Sequence, residues 1–265
     1  MHTVRSLIQR HPLMIFVALA YLLSWWPMPT RGVLVPAGPM LAALIVVGLA
    51  EGRSGLKTWW GRVVRRSGGL GWYLLAAVLP GVLALTAAGL NILLGARAPE
   101  QIDWIQPFIV WPIMILAGGM LEEPGWTGYA LPRLLDRFKA LRYGTLIATL
   151  IMGAIRIGWH VPLMLSGQVY WSDIPLILAA QIVIVWLFNR TGGSVLAIML
   201  LHLMNNTFAG EFVSQFFTGA DSVRHAWILT VVWGLLAVGA IVATGLKLGR
   251  SRSTPSNEQL APALS

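Results

Sequence analysis

Two adjacent carboxylates, Glu122 and Glu123, lead directly into a proline in the segment Leu121-Glu122-Glu123-Pro124-Gly125-Trp126-Thr127-Gly128-Tyr129. Further along, Arg156 and His160 are four residues apart, as are His202 and Asn206, with Asn205 alongside. On a helix, residues four apart share one face. Two carboxylates, two imidazoles and a carboxamide from three helices form a set that can activate water. A carboxylate takes the proton, while imidazole and amide donors stabilise the resulting oxyanion. Pro124 adds a local effect, because it lacks a backbone donor and strains the preceding turn. With no cysteine in the chain, a thiol nucleophile, a disulfide framework and a thiolate metal site are all excluded.

These groups stand in a chain poorly suited to water. Of 265 residues, 57% are hydrophobic and only 11% charged, against about 25% charged in an ordinary soluble domain. The solvent for most of the chain is therefore lipid. A span needs about 20 mostly apolar residues, and eight candidate runs are found, at roughly 12–28, 33–50, 71–95, 107–121, 143–165, 174–188, 194–210 and 226–246. The fold class is thus all-α, a polytopic membrane protein with about eight transmembrane helices. Residues 1–248 form one membrane domain, and the Ser, Pro, Asn and Gln-rich stretch 249–265 is expected to be a disordered cytoplasmic tail. The first run resembles a secretion signal, but Ala18-Leu19-Ala20 lies inside the apolar stretch rather than after it, so a retained helix is expected. Pro80 is expected to kink the third run, and Pro36 and Pro39 to distort the start of the second.

Charge asymmetry tests the count, because cytoplasmic loops are enriched in lysine and arginine. With the amino terminus inside and eight crossings, the inside carries Arg5, Arg10, Arg53, Lys57, Arg62, Arg65, Arg66, Arg133, Arg137, Lys139, Arg142, Arg190, Lys247, Arg250 and Arg252. The outside carries only Arg31, Arg97 and Arg224, and Arg156 lies within the fifth span. Both termini are expected to be cytoplasmic and the protein to reside in the cell membrane. The net charge of +9 then reflects membrane-surface anchoring, with no nucleic-acid partner expected. Trp59 and Trp60 beside Arg62, Arg65 and Arg66 read as a helix lying among the lipid headgroups.

An ionised group at mid-bilayer costs from about 3 kcal/mol upward, so such residues face a protein interior or a wet cavity. Several together imply one shared cavity. Each also has a plainer reading. Either glutamate could pair with Arg156, a lone His160 or His202 could simply hydrogen-bond between helices, and Asn205 is expected to do so. Trp126 and Trp159 are more often packing residues. A transporter or small-ligand-binding protein could use the same cavity, although Pro124 marks only one conspicuous helix break where transporters often carry two.

Three motifs in order, Glu122-Glu123 with Pro124-Gly125-Trp126 and Leu131-Pro132-Arg133, then Trp159-His160-Val161-Pro162, then His202 with Asn206-Thr207, resemble the CAAX prenyl protease 2 and bacteriocin-processing intramembrane endopeptidases. The resemblance covers roughly residues 105–210. It implies an intramembrane endopeptidase with a glutamate-activated water, acting on a peptide or protein substrate that is lipidated for some members. It also implies that Glu122 is the general base and Glu123 its orienting neighbour. His160 would position water or polarise the substrate carbonyl, and His202 with Asn206 would form the oxyanion site. A noncatalytic immunity or scaffold protein on the same fold is the alternative within the family.

Two positions depart from the family pattern. Thr127 stands where an arginine four residues after the second glutamate is expected, and Arg156 stands where an aromatic residue is expected four before His160. Arg156 is therefore expected to supply the guanidinium that Glu123 lacks on its own helix. Metal use stays open: a divalent ion such as zinc would take Glu122, His160 and His202, but no His-Glu-x-x-His is present. Nor is there a Gly-x-Ser-x-Gly or Gly-x-Gly-Asp segment. Counting from loop ends at 1.5 Å per residue puts His160 nearer the outer face than Glu122 or His202.

Overall fold

The computed structural model describes residues 2–117 and 119–250, and within them it contains helices and no strand. Along the chain these are α1 His2–Arg10, α2 Pro12–Trp25, α3 Met28–Arg31, α4 Gly38–Val63, α5 Leu70–Leu93, α6 Gln106–Ala117, α7 Gly119–Gly125, α8 Leu131–Arg137, α9 Gly144–Leu165, α10 Asp173–Arg190, α11 Val195–Asn205 and α12 Gly219–Thr244. Two widened π-helical segments join them, Trp126–Ala130 between α7 and α8 and Asn206–Phe212 after α11. Of the expected tail, residues 251–265 lie outside the described residues, while Arg250 donates a hydrogen bond to the Leu135 carbonyl.

Seven stretches among the described residues are long and apolar enough to cross a membrane: Pro12–Arg31, Gly38–Val63, Leu70–Leu93, Gly144–Leu165, Asp173–Arg190, Val195–Phe216 and Gly219–Lys247. The chain is a multi-pass membrane protein. The remaining expected run, 107–121, falls on α6 and α7, which flank residue 118, itself outside the described residues, and the π-helical segment 126–130 carries α7 on into α8.

Contacts between the helix ends show that the chain still crosses there. At one end of the bundle Arg65 bonds to the Gly192 carbonyl, Arg250 to Leu135, Asn189 to Leu248, and Arg5 and Gln9 to Ala50. At the other end Gln168 meets Gly32, and Asn91 meets Asp221. Leaving the second end after α5, the chain reaches the first through α6, α7, the 126–130 segment and α8. The loops rich in arginine thus share one end.

Proline and glycine shape the helices in the first half of the chain. α5 continues as one helix through Pro80. The break falls instead in α4 at Gly52, whose φ of 69° is readily adopted only without a side chain. Residues 53–63 then form a separate turn of direction with Trp60 exposed, as an interfacial segment requires. Pro39 sits in the first turn of α4, where its missing N–H has no helical partner to lose.

The inward face of residues 53–63 does more than rest on lipid. Trp59 is buried and its indole donates to the Pro124 carbonyl at 3.1 Å, while Arg62 reaches the Gly128 carbonyl at 3.2 Å. Both bonds serve backbone carbonyls in or beside the widened turn, where helical pairing is disturbed. Trp59→Phe keeps the ring but leaves a buried carbonyl without its donor. It is expected to cost about 1–3 kcal/mol, read as a lowered melting temperature in detergent.

Candidate active site

Two close approaches, at Gly119 and Gly125, hold α7 in place. A Cβ added at Gly119 would lie 2.7 Å from the His202 Cβ and 2.8 Å from the Met199 carbonyl oxygen in α11. One added at Gly125 would lie 2.3 Å from the Pro39 carbonyl oxygen at the start of α4. Glu122 and Glu123, between these two glycines, are consequently wedged between α11 and α4 and are both buried. Gly158 similarly makes room for Tyr21, whose hydroxyl donates to the Ile155 carbonyl at 2.5 Å, and Trp25 donates to the Trp159 carbonyl at 3.0 Å. These two bonds from α2 fix the turn of α9 that carries Arg156 and His160. Gly119→Ala is expected to push α7 away from α11, costing about 1–3 kcal/mol by overpacking and disturbing His202. Melting temperature and any site-dependent activity should fall together.

Glu123 is the hub. Arg156 grips it with both guanidinium nitrogens, Nη1 to Oε1 at 2.8 Å and Nη2 to Oε2 at 2.7 Å. His202 Nδ1 lies 2.8 Å from Oε1, and the Thr127 hydroxyl donates to Oε2. Arg156 Nη2 also lies 3.4 Å from the Thr127 hydroxyl. The guanidinium from α9 thus meets Glu123 across the bundle, and the smaller Thr127 fits beside the pair. Such a two-pronged pair is among the strongest hydrogen-bonding arrangements, and it offsets the cost of burying both charges.

Glu122 is left in a different state. It too is buried, yet its Oε2 has no hydrogen-bond partner. Two buried donors on site residues, Trp159 Nε1 and Arg156 Nε, are likewise unpartnered, while the Trp126 indole faces Glu122. Buried polar atoms ordinarily find partners in protein or water. Trp126 and Trp159 themselves pack edge to face with ring centroids 6.1 Å apart, and Phe16 closes on Trp126 at 5.5 Å. They form the apolar wall.

The imidazoles are oriented by what their Nδ1 atoms face. His160 Nδ1 is 2.8 Å from the Arg156 carbonyl oxygen, an atom that only accepts, so this nitrogen carries the proton. In the neutral ring Nε2 is then an acceptor. His202 Nδ1 faces a carboxylate and is the donor there as well, leaving its Nε2 for a further partner. Asn206 follows His202 by one turn, where the second π-helical segment begins, and makes no side-chain hydrogen bond among the described residues. Asn205 is also half-buried, and no interhelical bond from its side chain is present among the described residues.

The depth mismatch expected from loop counting is reduced to about one helical turn. Arg156 and His202 meet the same carboxylate, and His160 lies one turn beyond Arg156 on α9. Among the described residues no three His, Asp or Glu side chains are grouped to hold a metal ion. Glu122, His160 and His202 are therefore not assembled as a ligand set. Tyr21, Trp25 and Trp59, which steady the site from α2 and α4, were not apparent from sequence. Their partners are more than sixty residues away, and the Trp59-Trp60 pair signalled only a membrane surface.

Fold and site together define an all-helical membrane protein with a buried carboxylate, guanidinium and imidazole centre where α7, α9 and α11 meet. Residues 104–208 match the family described as type II CAAX prenyl endopeptidase Rce1-like, in keeping with the resemblance carried by the three motifs. The matched region includes every residue of the centre, from Glu122 to Asn206. No curated protein matches the chain.

Proposed function

We propose that the protein is an intramembrane endopeptidase that hydrolyses peptide bonds with a water activated by Glu122. The observation that carries this reading is the unequal state of two neighbouring carboxylates. Glu123 spends both oxygens on Arg156, His202 and Thr127, whereas Glu122 retains a buried, unpartnered oxygen. A general base needs an oxygen free to accept a proton.

In this mechanism Glu122 takes one proton from water, and the hydroxyl oxygen bonds to the carbonyl carbon of the scissile peptide. His160, with Nε2 as acceptor, holds the attacking water. Negative charge develops on the former carbonyl oxygen, where the Asn206 amide and His202 as imidazolium donate hydrogen bonds. An imidazolium also balances the site, since two carboxylates and one guanidinium leave a single negative charge. Glu122 then passes its proton to the peptide nitrogen as the carbon–nitrogen bond breaks, giving a carboxylic acid and an amine, which ionise to carboxylate and ammonium. Glu123 and Arg156 hold the framework and do not touch the substrate.

The substrate is a peptide or protein presented from the membrane, with a lipid-modified carboxyl-terminal segment as the form the family name suggests. The arginine-rich end of the bundle is cytoplasmic by the positive-inside rule, with both termini on that side. The test is product analysis by mass spectrometry after incubating proteoliposomes with prenylated and unmodified peptide libraries, with and without a chelator. New carboxyl and amino ends support hydrolysis, and chelator sensitivity decides for a metal.

One observation favours a second reading. The Asn206–Phe212 segment gives the chain a second π-helical widening beside the one that follows Pro124, and paired irregularities of this kind suit a transporter. Passage of a solute or peptide across the same proteoliposomes without cleavage would decide for it.

A further inference from the structure

Away from the buried centre, at the arginine-rich end of the bundle, a cavity of about 380 Å³ opens between the last turn of α4 and α8, lined by Arg62, Pro132, Arg133, Asp136 and Arg137. Its cations are only partly used by the protein. Arg133 pairs with Glu51 at 2.7 Å and lies over the Tyr129 ring, and Arg62 gives Nη1 to the Gly128 carbonyl. Arg137 has no hydrogen bond or ion pair among the described residues. The one acid in the lining is already engaged. Asp136 pairs with Lys139 at 2.8 Å, and that hydrogen bond holds its carboxyl below the ordinary carboxylate range. Three guanidinium groups around one cavity therefore face a deficit of negative charge.

We propose that this cavity binds the phosphate-bearing headgroup of an anionic phospholipid. A guanidinium offers planar paired donors that match phosphate oxygens, and basic pockets at the ends of membrane helices hold such headgroups. Position favours a lipid over a free anion. The cavity is lined by Arg62 of the interfacial stretch 53–63, whose Trp60, two residues earlier, is half exposed. Acyl chains of a lipid seated here would run along that apolar surface. The site has a structural link to the catalytic centre as well, because Arg62 lines the cavity while bonding to Gly128 within the widened turn that follows Glu123 and Thr127.

The test compares wild type, Arg137→Gln and Arg97→Gln, reconstituted in vesicles of phosphatidylglycerol and phosphatidylcholine in equal parts. Lipid retained after detergent extraction is counted by native mass spectrometry. Arg137 is exposed and unpaired, so its replacement leaves folding intact, and Arg97 is an equal loss of charge at the opposite end. The expected result is preferential retention of phosphatidylglycerol by wild type and Arg97→Gln, weakened about fivefold in Arg137→Gln, the effect of one arginine beside an anionic headgroup. Equal retention of the two lipids by wild type overturns the proposal. So does an Arg137→Gln variant that retains as much as wild type, or an Arg97→Gln variant that loses as much as Arg137→Gln. Inorganic phosphate is titrated in a parallel arm without phosphatidylglycerol. Binding there with the same Arg137 dependence, together with no lipid preference, would assign the cavity to free phosphate instead.

Discussion

Glu122→Gln is expected to fold at least as well as the wild type and to cleave peptide about a thousandfold more slowly, within the range that a positioned base contributes. The two effects have one origin. A buried carboxylate oxygen without a partner, as at Glu122, is costly to the folded state, and the isosteric amide removes the charge that creates the cost. The same change removes the lone pair basicity on which water activation depends. A stability gain with an activity loss is the signature of a group retained for chemistry. Glu123→Gln should behave in the opposite sense, with a falling melting temperature, because it leaves Arg156 buried without its counter-ion. Thermal denaturation in detergent and product formation in proteoliposomes separate the two glutamates.

Arg156→Ala is expected to lower stability by about 3–5 kcal/mol, the cost of leaving one partner of a buried ion pair alone, and to abolish activity with it. Glu123 would retain only His202 and Thr127 as partners. The informative variant is the double change Arg156→Ala with Thr127→Arg. Thr127 already touches Glu123 and lies 3.4 Å from the Arg156 guanidinium, so an arginine side chain at 127 can enter the space that Arg156 vacates and restore the charge from Glu123's own helix. Partial recovery of melting temperature is expected. A double variant no more stable than Arg156→Ala alone would mean that the two positions are not interchangeable sources of the cation. Arg156→Lys should fall between, keeping charge but losing the two-pronged grip.

Much of this arrangement could be read from residue order. The helices follow from long apolar runs, and their alternation from the placement of arginines: the loops holding Arg65, Arg190 and Arg250 do meet at one end of the bundle. The central polar residues stood out because charge is costly in lipid, and the i, i+4 spacing linked Arg156 with His160 and His202 with Asn206. Spacing could not tell which glutamate would be bound and which left free. That difference arises from Gly119 and Gly125, whose lack of side chains lets α7 approach α11 and α4 closely enough to turn Glu123 toward Arg156 and His202. Nothing in the residue pattern set either glycine apart. The widened turns at 126–130 and 206–212 and the bonds from Tyr21, Trp25 and Trp59 depend on tertiary packing. Pro124 hinted at the first widened turn, and nothing comparable announced the second. Gly52, where α4 breaks, carried no such signal.

The central claim is that Glu122 makes the attacking water. It is tested most directly by measuring peptide cleavage in solvent enriched in heavy oxygen, with wild type and Glu122→Gln reconstituted at matched amounts of folded protein. The account predicts that wild type releases peptide fragments carrying one solvent oxygen in the new carboxylate and that Glu122→Gln, equally folded, releases almost none. Cleavage by Glu122→Gln at the wild-type rate, or intact peptide carried across the bilayer by wild type with no new ends formed, would contradict it.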